Sequence, residues 1–307
     1  MISLIRFGTI IIYVGLWTCS AFGIVSTKPF RQQKQLAAVP LPSTSTHLTV
    51  ISKTFQVYIE DTDTYGVVYN ANYLRAYERA LQTASGFAAT HLQWAILGVD
   101  KQKFKLSPKL GGIYVIVSEC IQNQNEDGEI WNVVMRDVED ESIVFNSAQC
   151  TIGSKLTMPP PLVTKGIKTW DICCPFRDEF EGTTIPIRNQ LNFFERARSN
   201  FLGGPNVLRT LQEDHGLMYV VTFIDKGALV DSPPYCFGQS VIVETVFVAK
   251  RKGMVLECQH TLLLVNENGD KHRIGQAIVT LMALDAETRR PTSDLPEWLR
   301  ELMELMS

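Results

Sequence analysis

Two stretches of the chain alternate apolar and polar side chains with the period of an α-helix. In the first stretch the apolar positions are Tyr73, Leu74, Tyr77, Ala80, Leu81 and Ala84. In the second stretch they are Leu191, Phe194, Ala197 and Phe201. Side chains that recur three and four residues apart lie on one face of a helix, so each stretch predicts an amphipathic helix. Gly86 and Gly203 mark the predicted helix ends.

Each predicted helix is followed by runs of β-branched and aromatic residues that predict strands. In the first half these runs are Ile113–Cys120, Ile130–Met135 and Ile143–Ile152. In the second half they are Tyr219–Ile224, Ser240–Lys250, Met254–Val265 and Gly275–Leu284. The segments Asn125–Gly128 and Asn266–Gly269 have the composition of hairpin turns. One long helix followed by an antiparallel sheet, twice over, predicts an α+β fold.

The two predicted helices belong to two copies of one domain. At an offset of 117 residues, five positions in the helical stretches are identical. They are Asn72/Asn189, Leu74/Leu191, Glu78/Glu195, Arg79/Arg196 and Ala80/Ala197. Because the predicted strands also follow in the same order, we predict a tandem repeat of residues 47–153 and 171–286. A proline-containing linker, residues 154–170, would join the copies, and residues 287–307 would form a C-terminal tail.

The first 46 residues differ from the rest of the chain and have the composition of a presequence. No Asp or Glu occurs before Glu60. A lone Arg6 and a short apolar run have the pattern of a signal peptide, and the basic, acid-free segment after them is typical of a transit peptide. The segment Ser20-Ala21-Phe22 resembles the cleavage context of bipartite plastid presequences in algae with secondary plastids. The pattern therefore predicts import into a plastid, with secretion or an endomembrane location as the alternatives.

Charge and composition argue against several classes of partner and cofactor. The 29 basic and 32 acidic residues give a formal net charge of −3, without the overall basic character of a nucleic-acid-binding protein. The five histidines and seven cysteines include no Cys-x-x-Cys or His-x-x-x-His pair, so no metal site of these spacings is expected. Outside the presequence, the cysteines are expected to be buried thiols rather than a disulfide framework. The apolar run Gly8–Trp17 is too short for a stable membrane span, which needs about 20 residues.

The segment before the first helix carries the candidate chemistry. It reads Asp61-Thr-Asp63-Thr-Tyr-Gly66-Val67-Val68-Tyr69-Asn-Ala-Asn72-Tyr73. This segment resembles the hotdog-fold thioesterases of the 4-hydroxybenzoyl-CoA thioesterase type, whose signature is Asp-x-Asp-x-x-Gly-Val-Val-Tyr-x-x-Asn-Tyr. The second copy resembles the bacterial acyl-CoA thioesterase branch in the segments Phe193–Arg198, Phe223–Gly238 and Leu284–Pro291.

The resemblance implies an α+β fold of two tandem hotdog domains, each a long helix wrapped by an antiparallel β-sheet. Relatives with one domain per chain pair as dimers, so the two copies would form an intrachain pseudo-dimer. One chain would then be the minimal folded unit, and two such chains could pair further as a homodimer.

The resemblance also implies the roles of the motif residues. Asp63 would be the catalytic residue, as nucleophile or general base toward a thioester carbonyl. The backbone N–H of Asn70, at the start of the helix, would hold the oxyanion. The substrate-binding residues would be Gly66, Val67, Val68, Tyr69, Asn72 and Tyr73. The substrate would be an acyl or aroyl thioester of CoA or of acyl carrier protein (ACP), and this route needs no metal or organic cofactor.

Other interpretations of the same residues are compatible with the sequence. An Asp-x-Asp before a helix is usually turn or capping chemistry, and we keep that interpretation for Asp61. Glu78-Arg79 and its copy Glu195-Arg196 are expected to be structural polar pairs. A non-catalytic double hotdog that holds an acyl ligand is an alternative function. A dehydratase-type hotdog enzyme is a weaker alternative, because no His-Asp arrangement accompanies the motif.

The second copy lacks the motif when it is aligned at the constant offset of 117 residues. Asp61 then corresponds to Asp178, Asp63 to Phe180, Gly66 to Thr183, and Val67-Val68-Tyr69 to Thr184-Ile185-Pro186. A phenyl ring can neither attack a thioester nor accept a proton, and a proline lacks the backbone N–H. We therefore expect one active site per chain, carried by the first motif, and a degenerate site in the second copy.

A fusion of residues 1–50 to a fluorescent protein should be directed to the plastid, because this segment carries both parts of a bipartite presequence. Fluorescence microscopy in an alga with secondary plastids measures its location. Fluorescence that stays in the cytosol would contradict a presequence, and export to the medium would favour secretion.

Overall fold

The computed structural model describes residues 50–62, 68–82, 96–123, 128–153, 159–162, 166–230, 238–266 and 268–307. Residues 47–307 belong to one structural unit. The predicted presequence and three predicted site residues, Asp63, Gly66 and Val67, lie outside the described residues.

The described part of the first half contains one helix and five strands. They are β1 (Val50–Gln56), α1 (Asn70–Gln82), β2 (Ile96–Phe104), β3 (Ile113–Asn123), β4 (Glu129–Asp137) and β5 (Val144–Ile152). A single 3-10 turn, Ile59–Asp61, stands between β1 and α1. The predicted helix and the three predicted strands of this half are confirmed as α1, β3, β4 and β5, whereas β1 and β2 were not predicted.

The second half repeats this order and adds two helices in its described part. The elements are β6 (Ile167–Cys173), α2 (Ile187–Phe201), α3 (Gly204–Glu213), β7 (Leu217–Leu229), β8 (Val241–Lys250), β9 (Val255–Val265), β10 (Lys271–Asp285) and α4 (Glu297–Leu305). A 3-10 turn again precedes the long helix, at Arg177–Glu179. Strand β6 begins at Ile167, and α4 lies within residues 287–307. The predicted domain bounds stay a prediction.

The ten described strands form one antiparallel sheet with a mirrored order. The order is β1-β3-β4-β5-β2-β7-β10-β9-β8-β6. Strands β1 to β5 correspond in the repeat to β6 to β10. Counting inward from either edge of the sheet therefore meets corresponding strands in the same order. The two half-sheets therefore meet where β2 pairs with β7, with Gly98 opposite Ala228 and Lys103 opposite Phe223.

A pseudo-two-fold axis passes through this junction, between two copies of an Asp-Lys pair. The N–H of Lys101 donates to Asp225 Oδ1 at 3.0 Å, and the N–H of Lys226 donates to Asp100 Oδ1 at 3.0 Å. Both lysines have positive φ angles, 52° and 50°, which residues other than glycine seldom adopt. The two halves thus distort their central strands in the same way and bond reciprocally.

The helices α1 and α2 pack on one core that the two half-sheets share. Buried apolar residues of both helices and of strands from both halves form a single hydrophobic cluster. The largest fully buried side chains among them include Tyr73, Tyr77, Trp131, Phe193 and Phe194. A second cluster lies in the second half only, where Leu299 and Met303 of α4 are buried. The fold therefore holds α1 and α2 side by side, and this arrangement positions the candidate site.

Asp100→Asn should stabilise the protein at neutral pH. Burial raises the pKa of Asp100, and the nearby Asp225 raises it further. When folding raises the pKa of a carboxyl group, the protein loses stability as the pH rises from the unfolded-state pKa, about 4, to the folded-state pKa. Below pH about 4 the group is protonated in both states, so the loss disappears. Asparagine keeps the oxygen that accepts from Lys226 and removes the charge.

We therefore expect the melting temperature of Asp100→Asn to exceed that of the wild type by about 2 °C at pH 7. Thermal unfolding followed by circular dichroism between pH 4 and pH 8 measures this difference, which should vanish toward pH 4. A lower melting temperature of the variant at pH 7 would contradict the prediction.

Candidate functional site

The 3-10 turn Ile59–Asp61 holds the predicted motif against the start of α1. The Tyr58 N–H donates a hydrogen bond of 2.9 Å to Asp61 Oδ2. Asp61 is only 4% exposed, and its carboxylate is occupied by this bond to the backbone. The prediction that Asp61 is a turn-forming residue is therefore confirmed.

The backbone carbonyl of Asp61 ties this turn to the helix. It accepts hydrogen bonds from the Tyr69 N–H at 2.9 Å and from Asn72 Nδ2 at 3.2 Å. A β-bridge also pairs Thr62 with Val68. The two ends of the segment that carries Asp63 are consequently fixed beside the first turn of α1.

Asn70 is the first residue of α1. The N–H groups of the first helical turn have no partner within the helix, and the helix dipole favours negative charge beside them. The side-chain Oδ1 of Asn70 is buried and has no hydrogen-bond partner. Asn70 thus combines a first-turn N–H with an unsatisfied buried acceptor.

The other described residues of the motif have structural contacts. Val68 and Tyr73 are buried, and the Tyr73 ring packs edge-on against Phe104 with centroids 5.2 Å apart. Tyr69 is partly buried against the same core. Contact of these three side chains and of Asn72 with a substrate stays a prediction.

The second half repeats the tether of turn to helix, but one position later than a constant offset predicts. The Phe176 N–H donates to Glu179 Oε2 at 2.8 Å, and the Glu179 carbonyl accepts from Asn189 Nδ2 at 2.8 Å. Glu179 is therefore the structural counterpart of Asp61, an offset of 118 residues, whereas the helices keep the offset of 117. The loop between the turn and the helix is one residue shorter in the second half.

This shift changes the counterpart of Asp63. Counted from the shared turn, the residue two positions further on is Glu181 and not Phe180. The prediction that the second half lacks a carboxylate at this place is therefore wrong. The constant-offset alignment misplaced this position because the second half has one residue fewer in the loop between the turn and the helix, while the helices keep the offset of 117.

Arg188 closes the second copy of the site. Its guanidinium pairs with Glu78 of α1, with Nη1 2.6 Å from Oε2, and with Glu181. The side chains of Arg188 and Glu78 are only 13% and 11% exposed. Burial opposes the charge of Arg188, but the two carboxylates together raise its pKa. Burial also raises the pKa of Glu78, which Arg188 offsets only in part.

The first copy lacks the arginine of this ion pair. The counterpart of Arg188 is Ala71, which is 3% exposed. The second half in turn has Ile187 at the position of Asn70 and Pro186 at that of Tyr69. The two copies therefore share a backbone frame but carry different polar groups. That only the first copy is active stays a prediction.

The repeated Glu-Arg neighbours do not pair with each other as predicted, and their described ion pairs are with other residues. The ion pairs are Glu78–Arg188, Arg196–Glu179 and Glu195–Arg198. Neighbouring residues on a helix point in different directions, so Glu78 cannot pair with Arg79 along the surface. The spacing of Glu195 and Arg198, three residues apart on one helix face, was a signal that could have revealed the third pair.

Two features are absent from the described residues. No group of three or more His, Cys, Asp or Glu side chains there could hold a metal ion. No helix in this part of the chain is long and apolar enough to cross a membrane. The five cysteines in the same ranges are all free thiols.

Solved structures of thioesterases share this fold over nearly their whole length. A Lactobacillus plantarum protein described as an oleoyl thioesterase matches with a TM-score of 0.56 and 8% identity, over 76% of this chain and 96% of its own. The 12:0-ACP thioesterase of Umbellularia californica matches with a TM-score of 0.53 and 11% identity, over 80% and 95%. An acyl-ACP thioesterase of Bacteroides thetaiotaomicron matches with a TM-score of 0.53 and 10% identity, over 76% and 98%. By sequence, no family profile and no curated protein matches the chain.

Identities this low establish the fold alone. Each alignment covers at least 76% of the chain and so includes both halves. The protein therefore has the predicted α+β fold of two tandem hotdog domains, joined as a pseudo-dimer within one chain.

Arg188→Met should destabilise the protein, because it leaves Glu78 buried without its cation. Removing one partner of a buried ion pair costs about 3 kcal/mol of unfolding free energy. Chemical denaturation measures this loss. The double variant Glu78→Gln/Arg188→Met should recover part of it, since the buried charge is then absent as well. An Arg188→Met protein as stable as the wild type would show that the ion pair does not hold the helices together.

Proposed function

We propose that the protein is a thioesterase that hydrolyses an acyl or aroyl thioester of CoA or ACP at one site, at the start of α1. The observation that carries this proposal is the tether formed by the Asp61 carbonyl, which accepts from both Tyr69 and Asn72. It fixes both ends of the motif segment beside the first-turn N–H groups of the helix. The fold shared with solved thioesterases supports the class of reaction.

Thioester hydrolysis needs a group that attacks the carbonyl or activates water, and a donor that holds the developing oxyanion. In this proposal the first group is Asp63, as nucleophile or general base. The second is the N–H of Asn70, where the helix dipole adds to the stabilisation of negative charge. The reaction releases a carboxylic acid and a free thiol, and it needs no other reactant than water.

Two observations bear on the choice of thioester. The Umbellularia californica and Bacteroides thetaiotaomicron proteins are described as thioesterases of ACP thioesters, and both match this chain across both halves. The motif at residues 61–73 instead resembles enzymes that act on an aroyl-CoA. We therefore propose fatty acyl thioesters of ACP or CoA as the first class to test and aroyl-CoA as the second.

A ligand-binding protein without turnover is the second candidate. The second copy of the site favours this candidate. There Arg188 pairs with Glu78 and Glu181, so the same turn and helix start form a structural ion-pair cluster. An acyl ligand that copurifies with the protein, together with no hydrolysis of any thioester, would support this candidate.

The chain from residue 47 onward should release free thiol from at least one class of thioester. A panel of short-chain, long-chain and aromatic thioesters, read with a thiol reagent, measures this release. Asp63→Asn should lower turnover by about 10²-fold or more, the scale of losing a positioned proton-transfer group. The amide keeps the size of the side chain, so the melting temperature should not change.

Two variants of the second half are matched controls for Asp63→Asn. Glu181→Gln changes the structural counterpart of Asp63, and Asp178→Asn changes the residue that the constant offset aligns with Asp61. Both should leave turnover nearly unchanged. If Glu181 or Asp178 proved essential for turnover while Asp63 was dispensable, the active site would lie in the second half.

A further inference from the structure

A row of buried polar side chains joins the last turns of α2 to the half-sheet beneath them. Arg198 Nη1 lies 3.2 Å from Nε2 of His260 on β9, and His260 Nδ1 lies 2.9 Å from Oγ1 of Thr245 on β8. His260 and Thr245 are fully buried, and Arg198 is only 3% exposed. The Phe194 ring stacks on the imidazole with the ring centroids 4.7 Å apart. The row therefore holds α2 on β8 and β9 from within the core.

The geometry of this row requires a neutral imidazole. A guanidinium can only donate hydrogen bonds, so Nε2 of His260 accepts from Arg198, and Nδ1 carries the proton that is donated to Thr245. A protonated imidazole has no acceptor nitrogen. Burial, and then the charge of Arg198, lower the pKa of His260 well below its ordinary value, which agrees with the geometry.

Arg198 in turn depends on this neutral acceptor. Its Nη2 pairs with Glu195 on the same helix and its Nη1 with His260, whereas its Nε is buried without a partner. Glu195 is 36% exposed and His260 is fully buried, so the bond to His260 anchors the guanidinium inside the core. Without that bond a second buried donor of Arg198 would lose its partner, and the desolvation of that donor would no longer be offset.

The remaining elements packed around His260 face it with uncharged groups. Thr245 is its paired residue on β8, and Ala277 is its paired residue on β10. On β9 itself, Cys258 is buried two residues away, and burial raises the pKa of its thiol to about 12, so the thiol is neutral at physiological pH. A proton on His260 would therefore place a second buried cation beside Arg198, among groups that carry no compensating charge.

The first half packs its helix at the same place without such a row. By the helical repeat and the strand pairing, the counterparts are Leu81 for Arg198, Val133 for His260 and Ser118 for Thr245. All three counterparts are fully buried, and two of them are apolar. A buried arginine is costly, and apolar side chains of similar size often pack as well or better. Packing of the helix on the sheet therefore does not require the polar row of the second half.

We propose that Thr245, His260 and Arg198 form an acid-sensitive lock that fixes the last turns of α2 to β8 and β9. At neutral pH the row is intact. When the pH falls, His260 takes up a proton from solvent, Nε2 can no longer accept from Arg198, and the two cations repel each other in the core. The end of α2 then separates from β8 and β9, whereas α1, whose matching contacts are apolar, stays in place. This device goes beyond the proposed hydrolysis and acts in the second half alone.

Proton uptake on unfolding tests the lock in the purified protein. A histidine that is neutral in the folded protein and has its ordinary pKa, about 6.5, in the unfolded chain takes up a proton on unfolding below that pH. Through this one group, the unfolding equilibrium constant should rise by about tenfold for each pH unit below about 6. Chemical denaturation at a series of pH values between 5 and 7 measures this slope.

His260→Gln removes the titrating group and keeps the row, because glutamine offers an acceptor to Arg198 but cannot take up a proton. This variant should lower the number of protons taken up on unfolding by about one. His215→Gln makes the same change at an exposed histidine and should keep the proton uptake of the wild type. If His260→Gln does not fold, the triple variant Thr245→Ser/His260→Val/Arg198→Leu, which copies the first half, takes its place and should show the same loss.

Hydrogen exchange of the wild-type protein locates the opening and needs no variant. After correction for the intrinsic pH dependence of exchange, peptides of α2, β8 and β9 should lose about tenfold more protection between pH 7 and pH 5 than those of α1, β3 and β4. Mass spectrometry of the exchanged peptides measures this difference.

Two results would overturn the lock. The first is equal proton uptake by the wild type and by the variant that lacks His260, because the histidine would then not be linked to unfolding. The second is a loss of protection of the same size in both halves, because the opening would then not lie at α2. A proton uptake that falls by one, with the loss of protection confined to α2, β8 and β9, would support it.

Discussion

The antiparallel pairing of β2 with β7 is the constraint on which the rest of the structure depends. Reciprocal bonds from the Lys101 and Lys226 N–H groups to the opposite aspartates fix the pseudo-two-fold axis there. Two helices related by such an axis and packed on one sheet face run in opposite directions. The start of each helix then meets the middle of the other, as the Glu78–Arg188 contact shows. The second copy of the frame therefore uses residues from both halves of the chain.

The two copies differ in side chains on this common frame, and the difference follows electrostatic rules. A carboxylate at the start of a helix is favoured by the dipole, but when it is buried beside a second carboxylate it needs a cation. The second copy meets this need with Arg188, which binds the buried Glu78 and the half-exposed Glu181. The first copy has Ala71 instead, and Glu195, the repeat counterpart of Glu78, pairs with Arg198 on its own helix. In the described part of the chain, an interhelical ion pair therefore stabilises the second copy and has no equivalent in the first.

Periodicity along the sequence predicted both long helices and seven strands, because each of these elements buries one face in the shared core. It did not predict β1, β2 or β6. The centre of β2 carries the polar pair Asp100-Lys101, which bonds across the junction and interrupts the apolar pattern. The local bond of Asp61 to its own turn was predictable, since such bonds depend on adjacent residues. The partner of Glu78 was not, because Arg188 lies 110 residues further along the chain. Only the topology brings the two together.

Fusion of the two domains is what permits the asymmetry. In a dimer of identical chains, an arginine at the start of the helix would appear in both sites and would close both. In the fused chain Arg188 occurs once, so it can join α1 to α2 in one copy while Ala71 leaves the other copy open.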